Sequence, residues 1–453
     1  MGDPKPRPGL PPGPYLVVGL VRSGVAAALA LRARGAEVIG VDSGPANRPD
    51  LVAAAGRLRE AGVEVRLDAS GVDLAARART LIKSPGVPQD APVVRAASSR
   101  GAAVLGELEL AWRLIPNEFV AVTGTNGKTT TTEWIGHVHR EAGLPVAVAG
   151  NVGTAASTLV DPPGPGLPAG ATVICEASSF QLEDTLAFSP EAAVLLNLSP
   201  DHLDRHGTYD AYVAAKLRIF ANQGNYDVAV APADLDVEDL GGCARRVTFG
   251  PGPGSDLSER AGHLWWGEET LIEVEELALP GAHNVENAMA TAAVCLARGI
   301  DREAVAAGLR TFSGVRHRLE RIPTRDGVTW INDSKATNVA STVVALQALP
   351  GAIHLIAGGR GKQQDFSPLA APVSARCRAV YLIGEAAGEL AHALAPAGVP
   401  LRAAGEMEHA VALARAAAEP GEIVLLSPAC ASYDQYLDFE ARGDHFRALV
   451  ERA

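Results

Sequence analysis

Cysteine is scarce in this sequence, basic residues are outnumbered, and long apolar runs are missing. Its five cysteines, Cys175, Cys243, Cys295, Cys377 and Cys430, stand singly with no C-x-x-C spacing, which excludes a disulfide framework or a cysteine zinc site and suits reduced thiols. No apolar run approaches the roughly 20 residues needed to span a bilayer. The first 14 residues are polar and proline-rich where a secretory signal would carry an apolar centre. A cytoplasmic protein inserted in no membrane is therefore expected. Lys plus Arg number 40 against 52 Asp plus Glu, a net charge of −12, and such a field repels nucleic acid and anionic membrane surfaces. Any phosphate-bearing ligand must be met by local cations and backbone amides. No repeat of solenoid period is present.

What is present is an ordinary globular composition, 47% apolar and 20% charged, in a chain of 453 residues. That length exceeds one hydrophobic core and predicts more than one domain. Short aliphatic runs alternate with Ala/Leu/Arg-rich amphipathic stretches, the pattern of parallel strands joined by crossover helices, so the fold class is α/β with three domains. A proline-rich arm over residues 1–14 reads as flexible or extended. A first domain over 15–115 carries strands at 15–19, 37–41, 63–67 and 80–83, with a helix at 23–34. A central domain over 116–314 carries strands at 119–123, 146–149, 172–175 and 193–196, short antiparallel strands within 247–275, and helices at 284–298 and 302–309. A third domain over 315–453 carries strands at 328–332, 353–357, 379–383 and 423–426, and a C-terminal helix from about 434.

The sharpest local signal is Val122-Thr-Gly-Thr-Asn-Gly-Lys-Thr-Thr130, which follows an apolar strand and precedes a helical pattern as a phosphate-binding loop requires. Gly124, Thr125, Asn126, Gly127 and Thr130 would bring backbone amides to phosphate oxygens. Lys128 would reach the β and γ phosphates, and the Thr129 hydroxyl would serve Mg²⁺. Val122 stands where the common pattern has glycine. Glu176 ends a strand, and His202 follows another within Ser199-Pro-Asp-His-Leu-Asp204; both lie where open α/β sheets bind ligands and could hold a divalent metal. Asp201, Asp204 and His206 in the same loop read as helix capping and a solvated turn. Lys216, inside a helical stretch, reads on its own as a surface lysine.

Other loops are less specific. Gly19-Leu-Val-Arg-Ser-Gly24, with Asp42 after the next strand, resembles a dinucleotide-fold turn but has Val21 in place of the middle glycine, so a structural turn and a ligand site remain open. Lys83-Ser-Pro-Gly-Val87 could present backbone amides to a phosphate or a base. His317-Arg318, Asn332-Asp-Ser-Lys-Ala-Thr-Asn338, Gly358-Gly-Arg-Gly-Lys362 and Ser427-Pro-Ala-Cys-Ala-Ser-Tyr433 gather cations and hydroxyls after strands or at a domain junction, which predicts one anionic ligand such as a carboxylate-bearing amino acid.

Taken together these residues resemble the Mur ligase family. The match runs in order from the Gly19 turn through Ser84-Pro-Gly86, Gly124–Thr129, Gly150-Asn-Val-Gly153, Glu176-Ala-Ser-Ser-Phe-Gln-Leu182 and His283-Asn284 to Gly443. The Asp333–Asn338 and Ser427–Ser432 segments resemble the D-glutamate-adding members in particular. The resemblance implies a Rossmann-like first domain for a UDP moiety, a central P-loop ATPase-type domain, and a Rossmann-like third domain closing over the amino acid. It implies ATP-driven activation of the carboxylate of UDP-N-acetylmuramoyl-L-alanine as an acyl phosphate, then attack by the amine of D-glutamate, with Mg²⁺ or Mn²⁺, in a monomer.

By the same resemblance Lys128, Glu176, His202 and Lys216 are catalytic, and Thr129, Glu176, His202 and Lys216 hold the metal, Lys216 as a carbamate. Asn284, Asn287, Arg318, Asp333 and Lys335 accompany the nucleotide. Leu20, Asp42, Gly86, Asn151, His202, Thr337, Lys362, Ser432, Tyr433 and Phe439 surround the substrates. The chain departs from the family at Ser43 and Gly44, where relatives often present a basic residue to the UDP, and at Tyr433, where a smaller apolar or aromatic side chain is common. Competing readings are a relative adding another amino acid, a folate polyglutamylating ligase, a nucleotide-gated binding module and a nicotinamide-dependent dehydrogenase. The absence of an Asp-Asn-Pro-Arg box argues against the diaminopimelate or lysine adder, and the missing middle glycine against the dehydrogenase.

Overall fold

A computed structural model describes residues 5–151, 153–162, 164, 166–235, 237, 239–323, 327–361 and 364–452. Lys362 and the side chain of Asp204 lie outside the described residues. The chain divides into two compact units, Met1–Phe312 and Ser313–Ala453. Among the described residues no helix is long and apolar enough to cross a membrane.

The first unit opens with β1 (Tyr15–Val18), β2 (Val38–Val41), β3 (Glu64–Arg66), β4 (Thr80–Lys83) and β5 (Ala103–Gly106), a parallel sheet in the order β3-β2-β1-β4-β5. β1, β2 and β4 are buried along their whole length, because crossover helices cover both faces of a parallel sheet. The order reverses between β1 and β4, so the turns after β1, β2 and β4 meet on one edge. Gly24 opens the helix Arg22–Ala33 at that edge, and a Cβ there would lie 1.8 Å from the Gly19 carbonyl oxygen. The glycine of this turn thus has a packing reason of its own.

The second sheet of this unit comprises β6 (Phe119–Thr123), β7 (Val146–Gly150), β8 (Thr172–Glu176), β9 (Ala192–Leu195), β10 (Val228–Pro232), β11 (Arg245–Pro251), β12 (Leu257–Arg260), β13 (His263–Trp266) and β14 (Glu269–Glu273). Their order is β14-β13-β12-β11-β10-β9-β6-β8-β7. The antiparallel expectation for 247–275 holds only from β12 to β14; β11 runs parallel to both β10 and β12. The helix Glu107–Leu114 sends Leu108, Ala111 and Trp112 into the core of this second sheet, where the Trp112 ring meets Phe188 edge-on at 5.9 Å. Glu109 on the same helix is fully buried and accepts the backbone N–H groups of Leu186 at 3.0 Å and Phe188 at 2.8 Å, with Arg113 Nε at 2.7 Å. A buried carboxylate is tolerated when its oxygens are satisfied in this way.

The second unit holds β15 (Glu320–Ile322), β16 (Thr329–Asn332), β17 (Ile353–Gly358), β18 (Cys377–Ile383), β19 (Leu401–Gly405) and β20 (Ile423–Leu426), in the order β15-β16-β20-β17-β18-β19. β15 is an antiparallel edge strand and the other pairings are parallel. The C-terminal helix begins at Phe439, later than expected, because Asp438 accepts the Ala441 N–H at 2.8 Å and caps it there.

The N-terminal arm is bound, which corrects the flexible reading. Lys5 Nζ donates to Ser189 Oγ at 2.7 Å and pairs with Asp227 at 2.6 Å. Arg7 pairs with Glu191 at 3.0 Å with both side chains under a tenth exposed, donates to the Asn117 carbonyl at 2.9 Å, and lies 4.5 Å over the Trp112 ring. Removing one partner of a buried pair leaves the other charge uncompensated. Arg7→Met is expected to destabilise the first unit by about 3 kcal/mol, read as a lower midpoint in urea unfolding followed by tryptophan fluorescence. An unchanged midpoint would show that the arm holds nothing.

Candidate functional site

Four adjacent strands of the second sheet, β9-β6-β8-β7, lead into the phosphate loop, Asn151, Glu176 and the segment carrying His202. β6 ends in the loop Gly124–Gly127, after which the helix Lys128–Glu141 begins. Gly127 sits at φ 83° and a Cβ there would lie 2.2 Å from Asn287 Oδ1, so the loop demands glycine for both conformation and space. Asn287, on the helix Ala282–Ala297, also accepts the Thr131 hydroxyl at 3.3 Å and donates to Asn284 Oδ1 at 3.3 Å. The two predicted asparagines are thereby joined to the phosphate loop. Thr125 Oγ1 accepts the Ser199 N–H at 3.0 Å, and the Asn126 N–H donates to Asn197 Oδ1 at 2.9 Å, which ties the loop to the segment after β9. Thr129 and Thr130 fall in the first helical turn, with Thr130 buried.

β8 ends at Glu176, which is buried, and Asn151 after β7 donates to Glu176 Oε1 at 3.0 Å. His202 lies beyond β9 in the left-handed region at φ 51°, half exposed, its ring 4.8 Å from that of Phe180. His206, read from sequence as part of a solvated turn, instead has its side chain tucked in, Nε2 lying 3.0 Å from Ser179 Oγ.

Lys216 corrects a second expectation. It is buried rather than a surface lysine, and its Nζ donates to the Gly124 carbonyl at 2.7 Å, the same oxygen that accepts Lys128 Nζ at 2.9 Å. Burial, reinforced by the Lys128 charge, lowers the Lys216 amine to about 7 against the opposing pull of Asp201 and Glu176. Its ammonium lies 4.7 Å over the ring of Tyr212, whose hydroxyl is 2.9 Å from Thr125 Oγ1. Tyr212 was missed in the sequence. Its position one turn before Lys216 on the helix Tyr209–Leu217 is the signal that could have found it.

On the first sheet Asp42 accepts the N–H groups of Leu20 at 2.7 Å and Gly44 at 2.8 Å, so it shapes the turns after β1 and β2. The Leu20 side chain belongs to the core, and any part in binding falls to its backbone. Gly86, in the loop after β4, has open space around it.

In the second unit β16, β20 and β17 are neighbours, so the loops 332–338, 427–433 and the one after Gly358 are brought together although far apart in sequence. Asp333 is buried, accepts the Ser427 hydroxyl at 2.7 Å and the Leu319 N–H at 3.2 Å, and burial raises its carboxyl to about 7. Thr337 and Lys335 are half-buried, Ser432 is buried, and Arg318 and Tyr433 are exposed. The Phe439 ring meets His317 edge-on at 6.3 Å. Arg442, also missed in the sequence, is buried and donates to Ser334 Oγ at 2.9 Å, the Ser334 carbonyl at 2.8 Å and the Cys430 carbonyl at 3.1 Å. With a longer bond to the Gly358 carbonyl at 3.5 Å it reaches all three loops, one turn on from Phe439, and burial lowers it to about 10.

The Mur ligase middle domain family matches residues 122–295, and the family described as Mur ligase, glutamate ligase domain matches 317–430. The UDP-N-acetylmuramoylalanine–D-glutamate ligase of Pelotomaculum thermopropionicum is 42% identical over 96% of this chain and 96% of its own. The ligase of the same name from Acidobacterium capsulatum is 43% identical, covering 96% and 95%. Among solved structures, MurF of Acinetobacter baumannii aligns with a TM-score of 0.59 at 18% identity over 96% of this chain and 93% of that one. The UDP-N-acetylmuramate–alanine ligase of Thermotoga maritima aligns at 0.57 and 21%, over 97% and 99%. At those identities the two structures speak to the fold alone, a three-sheet α/β architecture shared along the whole chain. With the sequence identities running through both units, this chain belongs to the Mur ligase family.

Proposed function

We propose that the protein is the ATP-dependent ligase that joins D-glutamate to UDP-N-acetylmuramoyl-L-alanine in peptidoglycan precursor synthesis. The observation that carries this reading is the identity above two-fifths to D-glutamate ligases along 96% of the chain, which takes in the loops of the second unit as well as the ATPase core. A free carboxylate is a poor electrophile, so the substrate carboxylate oxygen attacks the γ-phosphorus and ADP departs. The neutral amine of D-glutamate then adds to the acyl carbon, and the tetrahedral intermediate expels phosphate to leave the amide. In this reading the amides of Gly124–Thr130 and the Lys128 ammonium hold the phosphates, and charge gathering there is met without reorganisation. Asn284, Asn287, Arg318, Asp333 and Lys335 accompany the nucleotide, and Leu20, Asp42, Gly86 and Asn151 the UDP substrate. Thr337, Lys362, Ser432, Tyr433 and Phe439 take D-glutamate.

A Mg²⁺ ion fits the donors present, with Mn²⁺ as an alternative. Thr129, Glu176 and His202 would hold it together with Lys216, and the lysine can do so only as an anion. An amine lowered to about 7 beside Glu176 and Asp201 is one that can shed its proton and add carbon dioxide as a carbamate. The ion supplies charge neutralisation at the phosphates when bound. We further propose a cytoplasmic monomer with domains over 15–115, 116–314 and 315–453; the separate sheets and the unit boundary after Phe312 support that division.

Phosphate release with ATP, Mg²⁺ and UDP-N-acetylmuramoyl-L-alanine is expected to require D-glutamate, with L-glutamate, lysine, diaminopimelate and no amine all at background. Release supported by another amine would keep the ligase class and overturn the choice of amino acid. Release indifferent to acceptor would sink the ligase reading.

The Lys216 amine is mostly neutral above about pH 7 and protonated below it. At fixed dissolved carbon dioxide, activity after dilution from bicarbonate is therefore expected to fall at least about tenfold from pH 8 to pH 6. Lys216→Ala should lie near background at both, and full activity of that variant, unaffected by bicarbonate, sinks the carbamate.

A further inference from the structure

Four charged side chains of the first unit meet at a place the proposed chemistry leaves unused. Lys83, the last residue of β4, is fully buried; its Nζ lies 2.8 Å from Asp184 and 3.5 Å from Glu183, and donates to the Val87 carbonyl at 2.7 Å. Arg205 Nη2 donates to the same Val87 oxygen at 3.0 Å and pairs with Glu183 at 2.5 Å. Gln89 donates to Asp184, and His206 Nδ1 lies 3.8 Å from Glu183. Two cations face two carboxylates, so the cluster is sensitive to losing any member.

The four members come from three segments of the first unit. Lys83 and Val87 bracket the Ser84-Pro-Gly86 loop. Glu183 and Asp184 follow the short helix Ser179–Leu182, which begins three residues after Glu176. Arg205 sits in the turn Leu203–His206, for which His202 is the residue before the first. The guanidinium of Arg205 lies 4.9 Å over the Phe180 ring, and the His202 ring lies 4.8 Å from the same ring. His202 keeps a left-handed backbone at φ 51°. A non-glycine residue holds that conformation, at a cost of about 1 kcal/mol, only where its surroundings over-determine it. The Arg205 pair with Glu183, its bond to Val87 and its stacking on Phe180 are the restraints that fix the turn.

We propose that Arg205 is a positioning residue that sets the His202 imidazole and joins it to the Ser84–Val87 loop, so that seating the UDP substrate on that loop and placing His202 are one event. This rests on the ligase reading above. A loop that moved on binding would carry the Val87 carbonyl, and with it Arg205 and the turn behind His202.

The test uses the full-length protein with Arg205→Met and Arg205→Lys. Calorimetry with UDP-N-acetylmuramoyl-L-alanine, without ATP or Mg²⁺, is expected to show affinity about tenfold weaker in Arg205→Met, or about 1.4 kcal/mol. The ¹⁵N resonances of the His202 imidazole are expected to shift when wild type binds this substrate and to stay unmoved in that variant. The KM for the UDP substrate should rise with the affinity loss while the KM for ATP stays within about twofold. Arg205→Lys keeps one charge but cannot reach Glu183 and Val87 while stacked on Phe180, so it should fall between the two. Unaltered binding and an unaltered His202 response in Arg205→Met overturn the inference, as does an equal rise in both KM values. Should Arg205→Met fail to fold, an Arg205→Lys protein with wild-type KM and His202 response overturns it alone. Wild-type protein that does not bind the UDP substrate overturns the ligase reading itself, and so the two failures are told apart.

Discussion

Two lysine amines converge on one backbone oxygen, that of Gly124. Like charges at such range oppose each other, and one of them is buried; the low dielectric around Lys216 and the nearby Lys128 make its charged form costly. Everything around the phosphate loop is arranged to hold this opposition in place. Gly127 admits Asn287, Tyr212 fills the space between Thr125 and Lys216, and the segment after β9 clasps the loop through Asn197 and Ser199. The arrangement holds the two amines a few ångströms apart, with Lys216 the one able to become neutral near physiological pH.

The sheets explain why so few residues suffice. In each of the three, the order reverses within the sheet, so loops from strands distant in sequence emerge side by side. β6 stands between β8 and β9, which sets the phosphate loop between Glu176 and the segment leading to His202. β20 stands between β16 and β17, which sets Ser427–Tyr433 between the other two loops of the second unit. Rigid, fully buried strands supply the precision, and short loops with glycine and hydroxyl residues supply the chemistry.

Most of this was legible in the sequence where a signal is local. The buried strands β1, β2, β4, β6, β8, β17 and β20 are rich in apolar residues, and the phosphate loop is a contiguous pattern of glycine, asparagine, lysine and threonine. What escaped was non-local or weak. β15 and β19 are edge strands with exposed residues and little aliphatic content, β5 is an edge of four residues, and β10 has two alanines in five residues and ends in proline. The parallel pairing of β11 with β12 cannot be read from composition, since strand direction is set by connections and not by side-chain alternation. The burial of Lys216 escaped for a similar reason: a lysine in an Ala-rich helix looks the same whether its tip meets water or a carbonyl 92 residues away.

The residues that hold the motifs in place are of another kind. Glu109, Lys83, Arg205 and Arg442 carry ionisable groups into buried or partly buried places, and each is matched by a group 75 or more residues distant for at least one of its contacts. Arg442 has only neutral acceptors at hydrogen-bond distance among the contacts described, so its charge is spread over carbonyl and hydroxyl dipoles. That choice costs more than an apolar residue of like shape would, and it fixes the relative height of the Asp333 and Ser427 loops in a way an apolar contact cannot, because hydrogen bonds have direction. Conformational specificity at the loop ends, rather than stability of the fold, is what these interior charges contribute.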